Sequence, residues 1–342
     1  MYFGLDIKLP GMLYASILHS PYIYGKVKSF QADKAMAIKG VRFVLKTERV
    51  FFHGPFSENA AFDRKVRSKS EAIAVVADSY WAAVKAKKEI VVDWNALGFA
   101  ETATEQYFNQ ARAAAQREGN EYKEDKVGDF ATALKISDYK IQATYQTPFM
   151  SHAPMEPCNA TVYVQGDQVE VWAPVQGPDG LVNDLAIYLG VKPEKIKVNV
   201  TFLGGAFGRK AVFDFVMQAA NLSRQTNAPV KVIWTREDDI QQGPYRPGMI
   251  SALQGGIDKE GNVLAFEHRL NGASIMASVF KADMRNNPDP WAGEGINLAD
   301  SPYAFPARRN SFSWVDPQMP VLWWRSVYAS TNVFAQESRS EE

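Results

Sequence analysis

Residues 195–210 read KIKVNVTFLGGAFGRK, and in them a strand-like run leads through glycines toward a run with helical spacing. Polar and apolar residues alternate over 195–202 with β-branched enrichment, which predicts a strand. Apolar residues then recur at helical spacing over 212–222, and PVKVIWT at 229–235 predicts a buried strand. The stretch therefore predicts a β-loop-α-β unit with the glycines on its first turn.

The glycine segment has the composition of an anion-binding turn. Glycine at 204, 205 and 208 lets a backbone approach a ligand closely, and the N-terminal amides of the following helix favour negative charge. The spacing matches neither a phosphate-loop ATPase nor a dinucleotide fold, and a basic pair, Arg209 and Lys210, follows. A phosphate, pyrophosphate or anionic cofactor fits the segment, and a tight connection without a ligand is the alternative.

Composition excludes several classes of function. The chain has 342 residues, 46% of them hydrophobic, which predicts two domains with a sizeable core. Its formal net charge of zero gives no broad basic surface for nucleic acid or acidic membranes. The single cysteine, Cys158, excludes a disulfide framework and any cysteine-ligated iron-sulfur cluster within the chain. Scattered histidines, at 19, 53, 152 and 268, predict no metal directly ligated by side chains.

Local patterns predict an α+β chain in three parts. Short strands and a helix capped by Asp78 or Ser79 predict a compact α/β domain over residues 1–97. Residues 98–138 are more charged and form a predicted connecting segment. Residues 139–342 are strand-rich, with predicted hairpins at 160–172 and 249–270, a helix ending at Gly190, and ordered loops over 281–322.

Several motifs in this order carry a family resemblance. They are HAPMEP at 152–157, WAPVQ at 172–176, the glycine segment, TREDD at 235–239, YRP at 245–247 and WRS at 324–326. Together they resemble the large molybdenum-binding subunit of the xanthine oxidase and aldehyde oxidase family. GLDI at 4–7, LPGMLYA at 9–15 and VADSYWAA at 76–83 are similar to the hammerhead domain of the isoquinoline 1-oxidoreductase β-subunit type.

The resemblance implies a hammerhead-type α/β domain followed by an incomplete molybdopterin-binding α+β domain. It implies molybdopterin, as the cytosine dinucleotide, and hydroxylation of an aldehyde or N-heterocyclic carbon with oxygen from water. Electrons would leave through a small iron-sulfur subunit with two 2Fe-2S clusters. No run approaches the roughly 20 apolar residues of a membrane span. A soluble chain is expected, and the bacterial cytoplasm and periplasm both stay open.

The resemblance also implies site residues. Cofactor-binding positions matched to the family are Gln176, Gly204, Gly205, Ala206, Phe207, Gly208 and Arg325. Phe207 and Arg246 match positions near the substrate pocket. Many members carry glycine where Ala206 stands, so a conformation that needs a positive φ would be strained there, and Ala211 replaces an acid of purine-oxidising members.

The resemblance places the general-base glutamate in a carboxy-terminal segment beyond Glu342, so no catalytic residue is expected in this chain. Taken alone, the chain is expected to be an inactive fragment of a molybdenum hydroxylase subunit. A non-catalytic scaffold that retains the fold is one alternative, and a phosphate or nucleotide binder that uses only the glycine turn is another.

Individual residues also have simpler interpretations. Gln176 could be an ordinary strand-end amide, and Arg246 a surface residue paired with the acids at 237–239. His152 is more simply a structural histidine and Cys158 a small core residue. The pair Trp323–Trp324 could line a pocket, although packing is the commoner role.

Overall fold

The fold is given by a computed structural model that describes residues 2–51, 69–100, 103–280 and 282–340. The described residues fall into two compact units. The first contains residues 2–51, 69–100 and 151–243, and the second contains residues 103–150 and 244–340 apart from residue 281.

Strands and helices are interspersed along the chain. The strands are β1 (Leu13–His19), β2 (Lys26–Gln31), β3 (Val41–Val50), β4 (Lys69–Ala77), β5 (Val91–Asn95), β6 (Asn120–Glu121), β7 (Tyr139–Thr147), β8 (Asn159–Gln165), β9 (Gln168–Ala173), β10 (Ile196–Val200), β11 (Val230–Ile233), β12 (Met249–Ile257), β13 (Val263–Gly272) and β14 (Arg308–Trp314). The helices are α1 (Asp33–Met36), α2 (Tyr80–Lys87), α3 (Thr104–Ala114), α4 (Phe130–Ile136), α5 (Pro178–Leu189), α6 (Asp214–Thr226), α7 (Arg236–Gln241), α8 (Ile275–Val279) and α9 (Ala329–Ser340). This mixture agrees with the predicted α+β class.

The first unit is built on a seven-stranded mixed sheet in the order β10-β9-β8-β11-β1-β4-β3. Strands from the amino-terminal region and from residues 151–243 thus share one sheet, with β1 parallel to β11. Helix α6 packs on this sheet through buried apolar side chains that include Phe215, Val216 and Leu222. The burial follows from the helical spacing of these residues, which places them on one face. The glycine segment therefore connects an edge strand, β10, to a helix, α6, that is packed in the core.

The second unit is built on a five-stranded sheet in the order β6-β14-β13-β12-β7. Strands β12 and β13 form an antiparallel hairpin, while β13 and β14 are parallel. The turn of the hairpin is closed by Asp258, whose carboxylate accepts hydrogen bonds from Asn262. A core that includes Phe108, Met249 and Phe312 lies within this unit.

Most predicted elements are confirmed. Both hairpins form, Ser79 caps α2 by accepting a hydrogen bond from the Ala82 amide, and α5 ends at Gly190 in the left-handed conformation. The prediction of loops throughout 281–322 was wrong, because β14 lies inside it and pairs with β13. Its sequence, RRNSFSW, has too few β-branched residues to resemble a strand. The predicted division into domains at 97/98 and 138/139 stays a prediction.

Candidate functional site

The glycine turn after β10 adopts a left-handed backbone at most of its positions. The φ values are 56° at Gly204, 87° at Gly205 and 105° at Gly208. A Cβ added to Gly204 would lie 2.4 Å from the Cβ of Glu156, closer than atoms can approach. Glycine is therefore required at 204 by both its φ and its contact with Glu156.

Phe207 has the same left-handed conformation without being glycine. Its φ is 55°, and its side chain keeps 39% of its surface exposed. A conformation of this kind costs about 1–3 kcal/mol and persists at functional sites where the surroundings fix it. Ala206, where a positive φ would be strained, is buried and is absent from the residues with positive φ. The strained residue is the next one along.

Gln176 lies beside the glycine turn. It follows β9, and its Oε1 atom accepts a hydrogen bond of 3.1 Å from the Gly208 amide. Its own amide donates to the Lys210 carbonyl at 2.9 Å. The side chain is exposed, and its Nε2 group has no acceptor among the described residues. The structure thus brings together two elements that are 32 residues apart in sequence, and leaves an amide donor beside the turn.

Several backbone amides of the turn are also available. Gly208 donates to Gln176, whereas no acceptor is found among the described residues for the N–H groups of Gly204, Gly205, Ala206 and Phe207. Consecutive amides in left-handed and turn conformations form concave sites for anions. The turn and Gln176 therefore present several hydrogen-bond donors that have no acceptor among the described residues.

Two residues, Lys210 and Glu156, anchor the turn through an ion pair that the sequence did not predict. Lys210 is fully buried, and its Nζ atom lies 3.3 Å from Oε2 of Glu156 and also donates to the Leu203 carbonyl. Glu156 accepts a hydrogen bond from the Leu5 amide at 3.1 Å, and its amide donates to the Gly204 carbonyl at 2.9 Å. Burial lowers the pKa of Lys210, and the charge of Glu156 opposes that change. The signal was present in HAPMEP, but nothing in the sequence joined its glutamate to the lysine.

The basic pair after the glycines is buried against carboxylates of the first unit. Arg209 has 1% of its surface exposed and bonds the carboxylate of Asp214 at 2.9 Å. Asp214 also accepts a hydrogen bond of 2.7 Å from Arg49. Burial opposes ionisation of Asp214, but the charges of Arg209 and Arg49 outweigh it and hold the pKa of that carboxyl below its ordinary value. Both cations of the pair are therefore neutralised inside the first unit.

The start of α6 also differs from the prediction. The helix begins at Asp214, so residues 209–213 separate it from the glycines, and Arg209–Ala211 form a short 3₁₀ turn. A carboxylate already occupies the first helical turn, where negative charge is favoured. The amides that remain available belong to the glycine turn itself.

The predicted site residues of the second unit lie close to one another. Arg246 is buried, with its amide bonded to the Met150 carbonyl at 2.8 Å and its guanidinium over the ring of Trp324 at 5.6 Å. The interpretation of Arg246 as a surface residue in an ion pair is therefore wrong. No described carboxylate forms an ion pair with Arg246. Arg325 is exposed on the next turn, where Ser326 and Val327 have φ values of 68° and 43°.

The remaining candidates are structural. His152 is buried, and Trp323 packs against Trp291 with ring centroids 5.6 Å apart. Burial raises the pKa of Cys158 to about 12, and its thiol donates to Asp239 at 3.6 Å, so it is not an activated nucleophile. Among the described residues no group of His, Cys, Asp or Glu could hold a metal ion, and His53 lies outside them. No helix of the described part is long and apolar enough to cross a membrane.

Two family models match this chain. Residues 113–308 match the family described as Molybdopterin cofactor-binding domain. Residues 2–98 match the aldehyde oxidase and xanthine dehydrogenase a/b hammerhead domain.

Two curated relatives align with nearly the whole chain. The beta subunit of isoquinoline 1-oxidoreductase from Brevundimonas diminuta is 24% identical over 98% of the chain, which spans 41% of that protein. A nicotinate dehydrogenase subunit from Pseudomonas putida is 25% identical over 98% of the chain, which spans 27% of that protein. The chain therefore corresponds to less than half the length of either relative.

Solved structures share the fold. Aldehyde oxidoreductase from Desulfovibrio gigas superimposes with a TM-score of 0.73 at 18% identity, covering 97% of this chain and 38% of that one. Quinoline 2-oxidoreductase from Pseudomonas putida 86 gives a TM-score of 0.67 at 22% identity, covering 95% of this chain and 44% of that one. At these identities the likeness concerns the fold alone.

Proposed function

Because the chain belongs to the aldehyde oxidase and xanthine dehydrogenase family, we propose that it is part of a molybdenum hydroxylase large subunit that oxidises an aldehyde or an N-heterocyclic carbon. The family membership confirms the resemblance carried by the sequence motifs. The α+β class, with a hammerhead domain and a molybdopterin-binding domain, is confirmed as well. The substrate, the electron route and the roles of individual residues are parts of the proposal.

The observation that carries the proposal is the set of unpartnered donors at the glycine turn. The amides of residues 204–207 and the Nε2 group of Gln176 have no acceptor among the described residues. A cofactor with oxygen and sulfur ligands and a phosphate offers acceptors to all of them. Gly204 and Gly205 leave no side chain in the way. The residues present therefore fit molybdopterin.

Each residue of the turn has a distinct part in this proposal. Gln176 binds the Gly208 amide through Oε1, which leaves Nε2 to donate to an oxygen of the cofactor without adding charge. Phe207 presents an exposed ring and excludes water from its side of the site. Lys210 and Glu156 hold the turn in place. Molybdopterin, when bound, supplies the redox chemistry that protein side chains lack.

Three finer statements belong to the same proposal. The cofactor is the cytosine dinucleotide form, and Arg325 also binds it. Electrons pass to a small iron-sulfur subunit, and Cys158, the single cysteine of this chain, is compatible with that division because one thiol cannot ligate a cluster. The chain by itself binds little cofactor and is inactive. We expect the base that starts the reaction to be supplied by polypeptide outside these residues.

Cofactor analysis tests the proposal. The subunit that contains this chain is purified with its partner, its molybdenum is measured by mass spectrometry, and its pterin is measured by fluorescence after oxidation. We expect both at close to one per subunit, and cytidine monophosphate after hydrolysis. A folded subunit with neither molybdenum nor pterin would contradict the proposal and favour the non-catalytic scaffold.

A further inference from the structure

Arg246 is a buried guanidinium whose charge is not balanced by any described carboxylate. Only 7% of its surface is exposed. The other buried guanidiniums all have an acid nearby: Arg49 and Arg209 bond Asp214, and Arg308 has the charge of Asp125 close to it. Burial alone lowers the pKa of Arg246, the direction expected without a neighbouring anion.

Two buried donors at this position lack an acceptor among the described residues. Nη2 of Arg246 donates to the Pro148 carbonyl at 3.1 Å, but Nε is buried without a partner among the described residues. The indole Nε1 of Trp324, whose ring lies 5.6 Å from the guanidinium carbon, is also buried without one. A buried donor that finds no acceptor destabilises the fold. Each of the two groups therefore offers a hydrogen bond for which the described residues supply no acceptor.

The backbone holds these donors in place. Tyr245 forms a parallel bridge with Val321, and its carbonyl accepts a hydrogen bond of 2.8 Å from the Leu322 amide. The Arg246 amide is bonded to Met150 on its other side. The turn that follows Trp324 contains Ser326 and Val327 in left-handed conformations, which persist where the surroundings fix them.

We propose that Arg246 and Trp324 bind an oxyanion, a carboxylate or a phosphate, through Nε of the guanidinium and Nε1 of the indole. A guanidinium fork binds such groups with charge-assisted hydrogen bonds, and the indole adds a directed donor. The inference rests on the proposed function, which determines which molecule carries the oxyanion. It is either a carboxylate on the substrate or a phosphate of the cofactor.

Nitrogen-15 NMR of the purified chain tests the site directly. Each tryptophan gives one indole N–H signal, and the Trp324→Phe variant assigns that of Trp324. Sodium pyrophosphate and sodium benzoate are titrated separately at constant ionic strength, because screening would otherwise change with the probe. We expect the Trp324 signal to shift in a saturable way with at least one probe. A shift with pyrophosphate alone would identify the oxyanion as a cofactor phosphate, and a shift with benzoate alone would identify it as a substrate carboxylate.

Variants separate specific binding from general charge. Arg246→Gln should weaken binding of the active probe about tenfold or more, since it removes the charge and the fork. Arg246→Lys keeps the charge and should weaken it less. Arg285→Gln is the control, because Arg285 is exposed in the same unit and paired with Asp283. If Arg246→Gln does not fold, Arg246→Lys carries the comparison.

Two results would overturn the inference: a Trp324 signal that neither probe moves, or equal binding by wild type and both Arg246 variants. Failure here is distinct from failure of the proposed function. A subunit that carries full molybdenum and pterin, together with a purified chain whose Trp324 signal never shifts, would refute only the oxyanion site. A subunit without cofactor whose Trp324 signal shifts would refute only the hydroxylase.

Discussion

Replacing Lys210 by methionine should destabilise the first unit by about 3–5 kcal/mol, the cost of leaving one charge of a buried pair without its partner. Lys210 is fully buried and Glu156 keeps 7% of its surface exposed. Methionine retains most of the apolar length of lysine, so packing is little changed. What remains is the Glu156 carboxylate, with the Leu5 amide as its other donor.

A substitution of the partner, Glu156, tests the same ion pair from its other side. Glu156→Gln keeps an acceptor for Leu5 but leaves the Lys210 ammonium buried without its anion. The double variant Glu156→Gln, Lys210→Met removes both charges, so its loss should be smaller than the sum of the single losses by about 2–3 kcal/mol. The control is Lys197→Met, because the pair of Lys197 with Glu170 is exposed and should contribute at most about 1 kcal/mol.

Urea unfolding, followed by circular dichroism, measures these free energies. Hydrogen exchange of the Glu156 and Gly208 amides reports on the turn itself, since those amides bond the Gly204 carbonyl and Gln176. We expect both amides to exchange faster in Lys210→Met and to be unchanged in Lys197→Met. The reasoning is refuted if Lys210→Met costs no more than the control, or if the single losses add without coupling.

Three further predictions concern strain, titration and close contact. The left-handed φ at position 207 should make the Phe207→Gly variant about 1 kcal/mol more stable than Phe207→Ala in urea unfolding. At exposed Ala113 in α3, a helical position, glycine should instead be less stable than alanine. Burial, with the charge of Arg308, lowers the pKa of His268 to about 3. The unfolded chain therefore binds this proton below pH ~6.5 while the folded chain does not, and stability should fall as pH drops. Between pH 7 and 4 the loss should be about 3 kcal/mol greater in wild type than in His268→Leu, and equal losses would contradict the shift. Gly204→Ala should destabilise the protein more than Gly166→Ala, because both glycines have left-handed φ but only Gly204 lies against Glu156. Equal melting temperatures for these two variants would show that the contact between the added Cβ and Glu156 is relieved without loss of stability.

The sequence predicted elements better than contacts. Periodic runs gave the hairpins and α5, because alternation and helical spacing are local properties. The glycine segment was recognised as a turn for the same reason. The contact of Gln176 with Gly208 joins residues on different elements, and only the sheet order β10-β9-β8 brings them together.

Charge was the least predictable property. Arg209 and Lys210 have the composition of an anion site, yet Arg209 is buried against Asp214, five residues further on, and Lys210 against the distant Glu156. A basic pair in sequence does not reveal whether its partner is a ligand or a carboxylate. The sequence also did not identify Phe207 as the residue with a left-handed backbone, since the positions of the glycines do not determine which other φ angles are positive.

Cofactor content of the variant Gln176→Glu, measured beside wild type in the subunit purified with its partner, tests the proposed cofactor site most directly. Glutamate keeps an oxygen to accept the Gly208 hydrogen bond, but it replaces the free Nε2 donor with an acceptor and adds negative charge. We predict about one molybdenum and one pterin per wild-type subunit, and a loss of about tenfold or more in the variant, at unchanged stability. Equal cofactor content in the two proteins, or none in wild type, would contradict the assignment of the glycine turn and Gln176 as the molybdopterin site.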